Sequence, residues 1–146
     1  MTNQQLNEIF LCAIPFFESL KGVRGIPFIS TYPVNSCEST SAMLAAILQK
    51  LDHQLDVLVV KGTQASGYGM HFWVEANGCV LDPTAHQFPE YNAPIFAMHP
   101  SPLEKVFSHT ELFTPEQALT QCDEKMGFPR DLANRLVSKF LTHVYS

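Results

Sequence analysis

Cys37, His71 and Asp82 are the residues of this chain whose types and order could do chemistry together. A thiolate attacks acyl carbons, an imidazole takes and returns the proton, and a carboxylate holds the imidazole in its working tautomer. Acyl transfer through a thioester is the reaction such a set performs. It makes two demands. The cysteine must sit where a thiolate is favoured, and the histidine and aspartate must lie within reach of each other.

The segment from about Ser36 to Lys50 answers the first demand. Asn35 as N-cap with Glu38 three positions on predicts a capping box, and Leu44, Leu48 and Leu51, backed by Met43 and Ile47, form one apolar stripe of a helix. Cys37 then falls near the second helical position. Unpaired N–H groups and the positive end of the helix dipole lower a thiol's pKa there, and the same groups face a developing oxyanion. The neighbours Asn35, Ser36, Glu38, Ser39 and Thr40 are polar, which argues against a plain packing cysteine.

The second demand is met by a hairpin. Met70–Ala76 and Cys79–Leu81 flank Asn77-Gly78, the strongest short-range signal for a two-residue turn. With that turn Ala76 faces Cys79, Glu75 faces Val80, Val74 faces Leu81 and Trp73 faces Asp82. The period of two puts His71, Trp73 and Asp82 on one face. His71 and Asp82 are then diagonal neighbours, within side-chain reach. A slip of one residue would separate them, and the Asn-Gly turn prevents it. Trp73 shares the face and can wall a cleft or simply fill a core.

Other elements must position these. Residues 4–20 read as a helix that Pro15 kinks or divides, 21–36 as turns, and Leu55–Lys61 as a strand. Pro83, Pro89, Pro94, Pro100 and Pro102 make much of 83–113 irregular, with one short strand at Ile95–Met98. Thr114, Pro115 and Gln117 open a helix that Gly127 closes, and a last helix spans about 130–144. The expected architecture is one α+β domain spanning 1–146, in which a nucleophile-bearing helix and additional helices pack on a small antiparallel sheet.

Composition narrows the function. The chain has 146 residues, is 46% hydrophobic and 16% charged, and carries a formal charge of -5. A chain of this size can bury about 68% of its unfolded surface and needs no staples. Its nine Lys and Arg residues form no basic block, which disfavours nucleic acid as a partner. No apolar run is long enough for a membrane span. The N-terminus has no signal-peptide pattern, so the expected setting is cytoplasmic, or that of an effector secreted by another route. Low charge leaves room for an apolar patch that binds a partner or a second copy. Cys12, Cys37, Cys79 and Cys122 include no CxxC pair, and no HExxH occurs. Cys37, His71, Asp82 and His86 could be imagined around zinc, but without close ligand pairs no metal or other cofactor is expected.

The stretch HFWVEANGCVLDPTA, together with the cysteine segment NSCESTSAML, resembles the transglutaminase-like branch of the papain-like cysteine enzymes. The resemblance covers about residues 28–90. It implies a papain-like core with Cys37 as nucleophile, His71 as general base and acid, and Asp82 as orienter. Tyr32 and Asn35 stand nearest as oxyanion or cleft candidates, because the aromatic that often flanks the family's nucleophile is missing. The family implies a peptidase, amidase or protein-glutamine deamidase acting on a peptide or protein. The other class left open is an idle domain binding a peptide or protein through the same cleft, with Trp73, Phe28, Tyr32, Phe88 and Tyr91.

Overall fold

The structure is a computed structural model that describes residues 1–145. In chain order it contains α1 (Asn3–Ser19), α2 (Cys37–Leu51), β1 (Val57–Thr63), β2 (Met70–Ala76), β3 (Cys79–Asp82), β4 (Ile95–Met98), β5 (His109–Phe113), α3 (Pro115–Met126) and α4 (Arg130–Lys139). The five strands form one sheet in the order β4-β3-β2-β1-β5, with every neighbouring pair antiparallel. Helices pack against this small sheet, a mixed α+β arrangement. None of the helices among the described residues is long and apolar enough to cross a membrane.

The β2–β3 turn has the geometry its residues demand. Asn77 and Gly78 both take positive φ, 53° and 74°, and the ladder pairs Val74 with Leu81, Glu75 with Val80 and Ala76 with Cys79. That twist matches the right-handed twist of the strands, so the two-residue turn sets the register expected above.

The period of two divides the sheet into unlike faces. Val57, Val59, Phe72, Val74, Cys79 and Leu81 join the helices in the main core. Val60, Trp73 and Val80 point the other way and pack with Ala85, Leu103 and Phe107 in a second, smaller cluster. His71 shares the parity of Trp73 and belongs with this aromatic side.

Several expectations are corrected. The helix α1 runs unbroken through Pro15 and starts at Thr2, which makes a capping box with Gln5. The helix α2 is buried on all sides from Ser39 to Leu48 instead of showing a single apolar stripe, as befits a helix enclosed by the sheet and the other helices. The strand β5 falls inside the stretch read as irregular. It is an exposed edge strand whose identity comes from backbone pairing with β1, so it carries no burial pattern to read. The last helix keeps α geometry only to Lys139 and then widens by one residue per turn, with Tyr145 N–H reaching the Phe140 carbonyl.

Candidate active site

His71 and Asp82 meet as the hairpin register requires. Nε2 of His71 lies 2.8 Å from Oδ2 of Asp82, and both side chains are fully buried. The carboxylate can only accept, so Nε2 carries the proton in this bond. The other carboxylate oxygen accepts from the Thr84 N–H at 3.2 Å. Thr84 in turn accepts from Gln87 Nε2, and Gln87 Oε1 accepts from the backbone N–H of Asn35, two residues before Cys37. A polar chain thus runs from the aspartate to the loop that carries the cysteine.

The imidazole's second nitrogen, Nδ1, is buried with no hydrogen-bond partner among the described residues. Burial alone would hold the ring neutral. The charge and hydrogen bond of Asp82, with a smaller contribution from the Cys37 thiol, outweigh it and raise the pKa from 6.5 to about 9. Cys37 comes from the helical side of the sheet and is half-buried, while the histidine comes from the aromatic side. The two layers meet where β2 begins and β3 ends.

The start of α2 differs from its expected form. Cys37 is the first helical residue and Ser36 precedes it as the cap, while Asn35 holds a left-handed φ of 62° in place of the extended backbone usual for an N-cap. No capping box with Glu38 forms. The nearby hydroxyls donate instead of accepting. Ser36 Oγ donates to the Pro33 carbonyl, and Ser39 Oγ and Thr40 Oγ1 both donate to the Ser36 carbonyl. The cap residue Ser36 makes no side-chain cap bond, so the first-turn N–H groups of α2 are left without one. Glu38 is partly buried, and the loss of solvent raises its carboxyl pKa against the pull of Lys61 and Lys125.

Tyr32 and Asn35, the oxyanion or cleft candidates, both hold hydrogen bonds around the site. Tyr32 is buried and its hydroxyl donates to the Pro83 carbonyl at 2.6 Å. Burial, then the charges of Glu18 and Asp82, keep that phenol well above its ordinary pKa, so its one proton stays committed. Asn35 has its backbone N–H committed to Gln87. Trp73 is fully buried, its ring centroid 5.9 Å from that of His71, and its indole N–H donates to Glu75.

Phe88 was named only as a cleft aromatic, and Phe107 and Gly62 escaped the sequence reading. Phe88 meets the His71 ring edge-on at 5.0 Å, and Phe107 lies 5.6 Å from it. Gly62, paired with His71 across β1 and β2, makes room for this cover. A Cβ there would stand 2.7 Å from the Phe107 Cβ and 2.8 Å from the Trp73 ring. The glycine in an otherwise branched strand was the one readable signal, since such a residue marks close approach of another group.

The other cysteines are set apart. Cys79 and Cys122 are buried, and loss of solvent raises both thiols, Cys122 to about 12 with the charges of Glu38 and Cys37 adding to the effect. Among the described residues, no group of three or more His, Cys, Asp or Glu side chains is placed to hold a metal ion, and His86 instead packs against the Tyr32 ring. A cavity of about 490 Å³ lies at the far end of α2, beside Lys50 and His53, roughly 20 Å along the helix from Cys37. No protein-family model, curated protein or solved structure matches this chain.

Proposed function

We propose that this chain is a cysteine-dependent acyl-transfer enzyme of the papain-like class, in its transglutaminase-like branch. Its reaction is hydrolysis of a peptide or side-chain amide, as in a peptidase, amidase or protein-glutamine deamidase. The observation that carries this reading is the fully buried His71–Asp82 pair at 2.8 Å, whose second ring nitrogen has no hydrogen-bond partner among the described residues. A histidine serving only the core would be expected to have both ring nitrogens satisfied.

In the proposed cycle the Cys37 sulfur attacks the amide carbon. The C–S bond forms as the carbonyl π electrons move to oxygen, where the uncapped N–H groups of the first turn of α2 receive the charge. Protonated His71 gives its Nδ1 proton to the departing nitrogen as the C–N bond breaks. Water then attacks the thioester, and the imidazole takes its proton. The C–S bond breaks to release the carboxylic acid and restore the thiolate, while Asp82 holds the ring by Nε2 throughout.

The test is incubation with a reduced, denatured protein substrate and three readouts: new amino termini, free ammonia, and incorporation of a fluorescent primary amine. Peptidase, deamidase and cross-linking activity each move a different one. The reading expects at least one signal in the wild-type protein and none in Cys37→Ala. A signal that survives Cys37→Ala, or silence in all three, contradicts it and favours the idle peptide-binding domain.

A further inference from the structure

The segment after β3 does more than cover the imidazole. Gln87 holds the nucleophile loop, Phe88 lies against His71, and the chain continues into one wall of a separate cavity of about 300 Å³. Its apolar lining is Phe88, Tyr91, Leu103, Val106 and Phe107, and Gln64 and Glu90 are polar members at its margin. Phe88 and Phe107 are 5.7 Å apart and belong to both places, touching the His71 ring and lining the cavity.

We propose that this cavity is a specificity pocket of the same site, taking one large apolar side chain, aromatic or long aliphatic, from the peptide substrate. The inference rests on the acyl-transfer reading above and adds the substrate class to it. Three observations favour this occupant. The lining is aromatic and aliphatic, and a pocket at the small end of the ligand-binding range suits one side chain. The sole charged group lining it is the carboxylate of Glu90, which repels acidic side chains and phosphates. The shared Phe88–Phe107 pair puts a bound side chain one aromatic layer from the imidazole, close enough to fix how the scissile bond is presented. Val106 is 52% exposed at the mouth, so a substrate can enter without unfolding the cluster beneath.

Two measurements on the full chain test the pocket. The first is an NMR titration of the Leu103 and Val106 methyl groups with N-acetyl-phenylalaninamide and, separately, N-acetyl-glycinamide. The phenylalanine probe is expected to shift these methyls and the glycine probe to leave them. The second compares alkylation of Cys37 by N-phenethyl-iodoacetamide and by iodoacetamide. The aromatic arm is expected to give a saturable advantage of about tenfold, from burial of a single aromatic ring. Both the methyl shift in Leu103 and the rate ratio should collapse in Val106→Glu, a change at an exposed position. Absence of methyl shifts overturns the pocket, as do Leu103 shifts that persist in Val106→Glu. Methyl shifts with a rate ratio near one overturn its membership of the Cys37 site. If iodoacetamide itself labels Cys37 no faster than Cys12 while the methyl shifts hold, the thiol chemistry falls and the pocket stands as a peptide-binding site.

Discussion

The two faces of the sheet are built for different ends. On the helical face Phe72, Val74, Cys79 and Leu81 vanish into a large core shared with all four helices. On the other, His71 and Asp82 sit beside a small aromatic cluster around Trp73 and Phe107. Alternate residues of the same two strands serve both. The large core holds the strands rigidly, and a rigid strand can hold an ionisable pair at 2.8 Å away from water. The main core and the buried His71–Asp82 pair thus lie on opposite sides of one hairpin, and substitutions can separate them.

Leu81→Ala should have the largest effect on stability. Leu81 is fully buried in the helical core, and its truncation is expected to cost about 2–5 kcal/mol in urea unfolding. The remaining folded protein should keep its Cys37 reactivity. If Leu81→Ala erased that reactivity without unfolding the chain, the division between faces would be wrong.

Gly62→Ala probes the aromatic face from behind. The added methyl meets the Phe107 backbone oxygen and Cβ and the Trp73 ring within 3 Å. Overpacking of this kind is expected to cost about 1–3 kcal/mol. It should also displace the cover over His71, which the imidazole's NMR chemical shifts would report. A variant as stable as wild type with unmoved His71 resonances would contradict the tight approach.

Asp82→Asn keeps the shape and one hydrogen bond of the carboxylate but removes its charge. Its effect appears in the pH dependence. His71 titrates at about 9 in the fold against 6.5 in the open chain, so the protonated ring stabilises the native state. That contribution is complete below about pH 6.5 and is lost as pH rises through about 9. Removing the Asp82 charge should flatten this slope, measured as the urea midpoint between about pH 6 and pH 10. An equal slope in wild type and variant would mean the pair is not coupled as described.

What could be read from the residue pattern tracks how local its cause is. The hairpin register was legible because Asn77-Gly78 dictates the turn and the period of two does the rest. The helix α3 was legible from Thr114, Pro115, Gln117 and Gly127, all of which act within one turn of their own position. The uncapped start of α2 was not. Ser36, Ser39 and Thr40 are good cap formers by type, and only the path of the chain through Pro33 and Asn35 turns their hydroxyls toward carbonyls. Phe88 was legible as a cleft aromatic, but its packing with Phe107 was hidden for a related reason. Their meeting over His71 depends on Gly62 and on irregular chain between β3 and β5, neither of which leaves a periodic trace.

The central claim is that His71 activates Cys37, and alkylation tests it most directly. Cys79 and Cys122 are buried, which leaves Cys12, half-buried on α1, as an internal reference. Iodoacetamide labelling followed by peptide mass mapping, across pH in wild type and His71→Ala, compares the two thiols in one molecule. The account predicts that near pH 6–7 Cys37 reacts at least about tenfold faster than Cys12, as thiolates paired with an imidazolium do. It also predicts that this advantage disappears in His71→Ala. Equal rates for Cys37 and Cys12 in the wild-type protein, or an advantage unchanged by removing His71, would contradict it.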